Sequence, residues 1–225
     1  AKSGRPGPVL IDITKNAQIE MLDFKYKKCV GIRSYSPVPK IDKNKILEAA
    51  ELINNAKNPL IVWGQGVILG NAEKEFKNFV EKSGIPAAWT ILGASAIPTS
   101  HELNVGMVGM HGNYGPNILT NKCDLLIAIG MRFDDRVTGD TSTYAKQAKI
   151  IHLEIDPAEV NKNIIVDVPI VGNCKDSLRM LTRNIKAKSY KKWVNKFDEL
   201  MKKEFKKVIK SDLAPKKKGL TMGES

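Results

Sequence analysis

Nothing in the 225 residues reads as a membrane span. No apolar run approaches the roughly 20 residues needed to cross a bilayer, and no succession of charged, apolar and small-residue regions marks a signal peptide at the start. A cytoplasmic location is therefore expected. Metal ligands are scarce as well: Cys29, Cys123 and Cys174 stand far apart with no C-x-x-C pair, and only three histidines could join them, so no metal site is expected. The full G-x-G-x-x-G fingerprint of a dinucleotide turn is also lacking, and only "WGQG" comes near it. His111 could titrate near neutrality, but no Ser, Cys or acid stands at motif spacing to be activated by it, so ligand contact or loop structure is the better reading.

What is present is enough apolar content, 42%, for one sizeable core, and a net charge of +12. The charge is local. Arg183 to Lys218 holds fourteen Lys or Arg against four acids, so ten of the twelve excess charges fall there. Within it Trp193, Phe197, Leu200, Met201, Phe205, Val208 and Ile209 recur at spacings of mostly three and four, the pattern of an amphipathic helix. Packing on its own protein with a solvated lysine face is preferred over nucleic-acid or membrane contact.

The middle of the chain alternates helix and strand. Asp42 is expected to cap a helix that buries Ile46, Leu47, Ala50 and Ile53, and "NPLIVWGQG" follows as a strand running into glycines. Asn71 is expected to cap a helix with Glu73 in its first turn, Phe76, Phe79 and Val80 inward and Gly84 at its end. Further strands are "IPAAWT", "DLLIAIG", "KIIHLEID" and "VPIVG", with a long loop after the first and a helix expected near 140–146. Asp156, Pro157 and Glu159 supply a cap, a first-turn proline and a third-position acid, and Asn173 with Asp176 opens a last core helix. This predicts an α/β fold, a Rossmann-like parallel sheet of about six strands with helices on both faces.

In such sheets a ligand lies beyond the carboxyl ends of the strands. Those ends read Gly64-Gln65-Gly66, Thr90-Ile91, Gly130-Met131-Arg132, Glu154-Ile155 and Gly172-Asn173, each with a glycine or a polar group. Glycines allow close backbone approach, and an acid such as Glu154 can accept from ribose hydroxyls, so a nucleotide or dinucleotide across the sheet edge is expected. The opening strand-like "PVLIDI" has no evident partner, "KYKKCVGIRSYSPVPK" reads as a linker, and so does "APKKKGLTMGES". The expected organisation is 1–38 as the end of a preceding domain and linker, 39–182 as the core domain, and 183–225 as a basic helix and linker toward a further domain.

"SGRPGPVLIDI", "NVGMVGMHGN", "DLLIAIGMRFDDRVTGD" and "IHLEIDPAEVNKN" together resemble the central domain of the acetolactate (acetohydroxyacid) synthase catalytic subunits. The resemblance implies a thiamine diphosphate and magnesium enzyme that condenses pyruvate with pyruvate or 2-ketobutyrate in branched-chain amino-acid biosynthesis. It also implies a middle domain that binds FAD without a net redox role, in a homo-oligomer with a regulatory subunit.

Carried over by motif, Arg5, Gly64, Gly66, Thr90, Ile91, Val108, Gly109, Met110 and His111 would contact FAD. So would Gly130, Met131, Arg132, Phe133, Asp134, Glu154, Ile155, Asn173 and Cys174. Met110, Asp135 and Arg136 would face substrate. The family's activating carboxylate and its metal-binding G-D-G element lie in other domains, and no G-D-G occurs here, so this segment is expected to be inactive alone. Two alternatives are the central domain of another thiamine-dependent carboligase or decarboxylase, and a non-enzymatic module whose basic helix contacts nucleic acid.

Overall fold

The computed structural model describes residues 1–32 and 35–213, so the linker expected at 214–225 lies outside the described residues. Six strands form one sheet: β1 (Pro59–Trp63), β2 (Ala87–Trp89), β3 (Asn104–Met107), β4 (Leu125–Ile129), β5 (Lys149–Glu154) and β6 (Val168–Val171). Their order is β3-β2-β1-β4-β5-β6, and every pair is parallel. Strand order reverses between β1 and β4, the switch point at which such sheets open a crevice.

The helices are α1 (Lys15–Ile19), α2 (Lys43–Asn55), α3 (Gly66–Leu69), α4 (Glu73–Ser83), α5 (Tyr114–Thr120), α6 (Asp135–Thr138), α7 (Cys174–Asn184), α8 (Lys191–Glu204) and α9 (Lys210–Leu213). Alternation along the strands sends side chains to two cores. Ile61, Trp63, Ile127 and Ile129 join buried residues of α2, α4 and α7, while Leu60, Val62, Leu126 and Ala128 meet Trp193 and Phe197 of α8 on the other face. Both faces of the sheet are thereby covered, and β1 and β4 are buried throughout, as their unbroken apolar runs require.

Helix boundaries follow local chemistry. Asp42 accepts from the Asn44 amide at the start of α2, and Asn173 accepts from Lys175 at the start of α7. Gly84 ends α4 at φ +66°, with α4 burying Phe76, Phe79 and Val80 as expected.

Several expectations are corrected. Leu47 is 55% exposed, because Ala49 takes the inward position next to Ala50. Asn71 does not cap α4. It turns the chain at φ +47° and donates its amide to Ile68, leaving Ala72 at the cap position with no side-chain bond. The residues 8–13 form no strand, since no neighbouring strand meets them, and Val9, Leu10, Ile11 and Ile13 are exposed. The helix expected at 140–146 is a run of turns, and a single helical turn forms earlier as α6, capped by Asp134 through the Arg136 amide. The long loop after β2 contains edge strand β3 and helix α5.

Candidate functional site

A cavity of about 1270 Å³ opens beyond the carboxyl ends of the strands, over the β1/β4 switch point. It exceeds the roughly 300–1,000 Å³ of an ordinary small-molecule cleft, as an extended ligand would need. Its wall takes Gly64 and Gly66 after β1, Thr90 and Ile91 after β2, and Val108, Met110 and His111 after β3. It also takes the run Gly130, Met131, Arg132, Phe133 and Asp134 after β4, with Arg136, then Glu154 and Ile155 after β5, and Asn173 and Cys174 after β6. Lys2 to Pro6, including Arg5, and Pro37–Val38 close the outer side.

Residues 46–181 match the family model described as the thiamine pyrophosphate enzyme central domain. The chain belongs to this family.

Among similar proteins, an acetolactate synthase large subunit of Corynebacterium glutamicum is 46% identical over 187 residues, which cover 83% of this chain and 30% of the relative. A probable acetolactate synthase large subunit of Methanocaldococcus jannaschii is 42% identical over 208 residues, 90% of this chain and 35% of that protein. The acetolactate synthase large subunit of Buchnera aphidicola subsp. Schizaphis graminum is 36% identical over 216 residues, 92% and 38% respectively. The chain thus spans about a third of the length of the curated relatives it matches.

In this central domain two carried-over residues stay out of the cavity wall. Asp135 is exposed at the start of α6. Gly109 is buried at φ +105°, with its N–H donated to the Asn117 side chain and its carbonyl accepting from it. A side chain at Gly109 would lie 2.6 Å from the Arg136 carbonyl, so that glycine holds the β3 loop against α6.

The glycines at the switch point are required by one another. A Cβ on Gly64 would sit 2.5 Å from the Gly130 carbonyl oxygen, and one on Gly66 2.5 Å from the Gly130 Cα. Gly130 itself has φ +59° and accepts from the Gly66 amide at 3.0 Å. The loops after β1 and β4 therefore touch backbone to backbone, forming the floor of the crevice.

The β4 loop is held from behind. His152, fully buried on β5, bonds the Met131 carbonyl through Nε2 at 2.8 Å, so Nε2 must carry the proton. Burial lowers its pKa against the opposing effect of that bond, and the ring is neutral. Asn163 donates to the Phe133 carbonyl at 3.0 Å, and the Phe133 ring packs edge-on to His152 and Tyr144. These contacts sustain a positive φ of +53° at Phe133, unusual for a bulky residue. With both carbonyls held, the amides of Gln65, Met131 and Arg132 have no acceptor among the described residues. Arg132 pairs with Asp134 at 3.1 Å, so part of the charged "RFDDR" run ties its own loop.

Glu154 is nearly buried. Its Oε1 accepts from the Ile155 and Asp156 amides, at 2.9 and 3.2 Å. Burial raises its pKa despite those donors and Arg5. Burial also pushes the Cys174 thiol up to about 12, so in this wall it is a small apolar residue and not a thiolate. Arg5 donates from Nη1 to Asp156 at 3.2 Å and to Glu159 at 2.5 Å.

Sequence reasoning singled out neither His152 nor Glu159 for the site. A histidine inside an apolar strand carries no motif, whereas the D-P-x-E spacing did mark Glu159, as a helix-capping acid.

Proposed function

We propose that this chain is the FAD-holding central domain of an acetolactate synthase, and that the complete enzyme condenses two 2-ketoacids on thiamine diphosphate and magnesium. The observation that carries this reading is that seventeen of the eighteen residues matched by motif to a cofactor site line one cavity at the sheet's switch point. The names of the relatives support the enzyme class. The residues fit the cofactor. Unbonded amides at Gln65, Met131 and Arg132 and the guanidinium of Arg5 suit a pyrophosphate. Glu154 suits ribose hydroxyls, and the apolar Ile91, Val108 and Met110 suit a flat ring system.

FAD in this setting contributes no net redox change. The side chains of Met110 and Arg136, exposed at the cavity, and of Asp135 just outside it would border the substrate route. Condensation itself is assigned to portions of the relatives that this chain does not span, and assembly into a homo-oligomer with a regulatory subunit belongs to that larger protein. No helix among the described residues is long and apolar enough to cross a membrane.

The test is a titration of the chain with FAD, with ADP as a second ligand. The expected result is saturable FAD binding with a Kd weaker than about 1 µM, since ordering loops that other parts of the enzyme would brace costs binding free energy. Saturation by ADP with no gain from the flavin half would favour another thiamine-dependent family member. Absence of saturable binding by either ligand would overturn the reading.

A further inference from the structure

The D-P-x-E turn at 156–159 is built as a helix start, yet its acid does not cap it. In a capping box the third-position acid would reach back to the amide of the cap residue. The Asp156 amide is already taken by Glu154 Oε1 at 3.2 Å, and Asp156 caps the turn itself, accepting from the Ala158 amide at 3.0 Å. Glu159 is thereby released. It is 6% exposed, and its Oε1 accepts from Arg5 across 154 residues of sequence and from Lys162 at 3.0 Å. Burial alone would raise its pKa, but the Arg5 and Lys162 contacts outweigh this and lower it, so the carboxylate stays charged.

Both carboxylates engage a single nitrogen of Arg5, Nη1. The remaining nitrogens of the fork, Nε and Nη2, have no partner among the described residues, while the side chain lines the cavity. A guanidinium can hold two partners because its donors are rigidly forked. Here one prong is fixed to the domain and the other is left for a ligand. The same contact holds residues 2–6, the outer wall of the cavity, against the β5 turn.

We propose that Glu159 is a positioning residue for the cofactor site: it anchors Arg5 by one prong, so that the N-terminal loop closes the cavity and the free prong meets a phosphate of the ligand. This rests on the reading of the cavity as an FAD site. A negative group beside an anion's site would ordinarily weaken binding, so the two possible roles of Glu159 have opposite signs. If its charge were all that mattered, Glu159→Gln would bind FAD more tightly. If it positions Arg5, Glu159→Gln must bind more weakly.

The experiment compares the wild-type chain, Glu159→Gln and Arg5→Gln, by FAD titration and by backbone nitrogen-15 relaxation at residues 2–5 without ligand. The expected result for Glu159→Gln is faster local motion confined to residues 2–5 and about tenfold weaker FAD binding, the loss expected when one charge-assisted contact is no longer held. Arg5→Gln should show the same gain in motion, and combining the two changes should add little. Unchanged relaxation at residues 2–5, or unchanged or tighter FAD binding by Glu159→Gln, overturns the proposal. Should wild type fail to bind FAD, the reading of the cavity falls instead, and the proposal falls with its ligand half even where the relaxation result shows the clamp.

Discussion

Gly130 is where sequence, strain and site meet. Its φ of +59° is a left-handed conformation, and an added Cβ would lie 2.6 Å from the Gly66 Cα, a backbone atom that cannot swing aside. Gly130→Ala should therefore lower stability by about 2 kcal/mol or more, combining the left-handed penalty of about 1–2 kcal/mol with a clash. Urea unfolding monitored by tryptophan fluorescence checks this, and a loss below about 0.5 kcal/mol would show that the two loops can part. At this scale the sequence identified the glycines but not their reason. Pattern reading takes Gly64 and Gly66 as room for a ligand, whereas the nearest atoms to each belong to the facing loop. Which loops face each other is set by the β1–β4 pairing, a long-range fact absent from either segment. Glu159 shows the same limit, since its spacing to Asp156 is legible but its partner Arg5 is remote in the chain.

Among the elements, those whose burial is settled within a dozen residues were legible. Apolar strands β1, β4, β5 and β6 and helices α2 and α7 fall where periodicity and caps put them, and α4 where its apolar periodicity and Gly84 put it. Those that depend on a distant partner were not: β3 is a four-residue edge strand with mixed burial, and α5 has no side-chain cap. The basic helix α8 divides by exposure. Trp193 and Phe197 are buried, with the Trp193 indole donating to the Pro59 carbonyl at 2.8 Å. Phe205, in the π-helical turn Phe205–Ile209 that continues it, is 48% exposed. The apolar stripe is thus continuous in sequence, but the domain beneath it covers only the first half. Phe197→Ala should cost about 3–5 kcal/mol, as a large buried aromatic does, and Phe205→Ala within about 0.5 kcal/mol. Equal losses in parallel urea titrations would contradict this division.

For the molecule as a whole, the buried titratable groups set a pH dependence. His152 has a folded pKa below its ordinary 6.5, so the unfolded chain takes up a proton that the folded one refuses. Its contribution is present above pH 6.5 and is lost as pH falls below it. Glu75, Glu159 and Asp167, whose folded values are lowered, hold theirs above the ordinary 4.5, 4.5 and 3.8 and lose it only in stronger acid. Glu154, raised by burial, acts in the opposite sense, favouring the fold below its ordinary 4.5 and losing that contribution as pH rises through its folded value. The urea midpoint should accordingly fall between pH 7 and 5.5, and His152→Gln, which keeps a donor for the Met131 carbonyl, should flatten that fall. An unchanged slope in the variant would assign the effect to other groups.

The central claim, that the crevice at the β1/β4 switch point receives FAD, is tested most directly by following the FAD titration residue by residue in the amide NMR spectrum of the labelled chain. The account predicts saturating shifts at Thr90, Ile91, Gly130 to Arg132, Glu154, Ile155 and Asn173. Shifts confined to the lysine-rich face of α8, or no saturating shifts around the crevice, would contradict it.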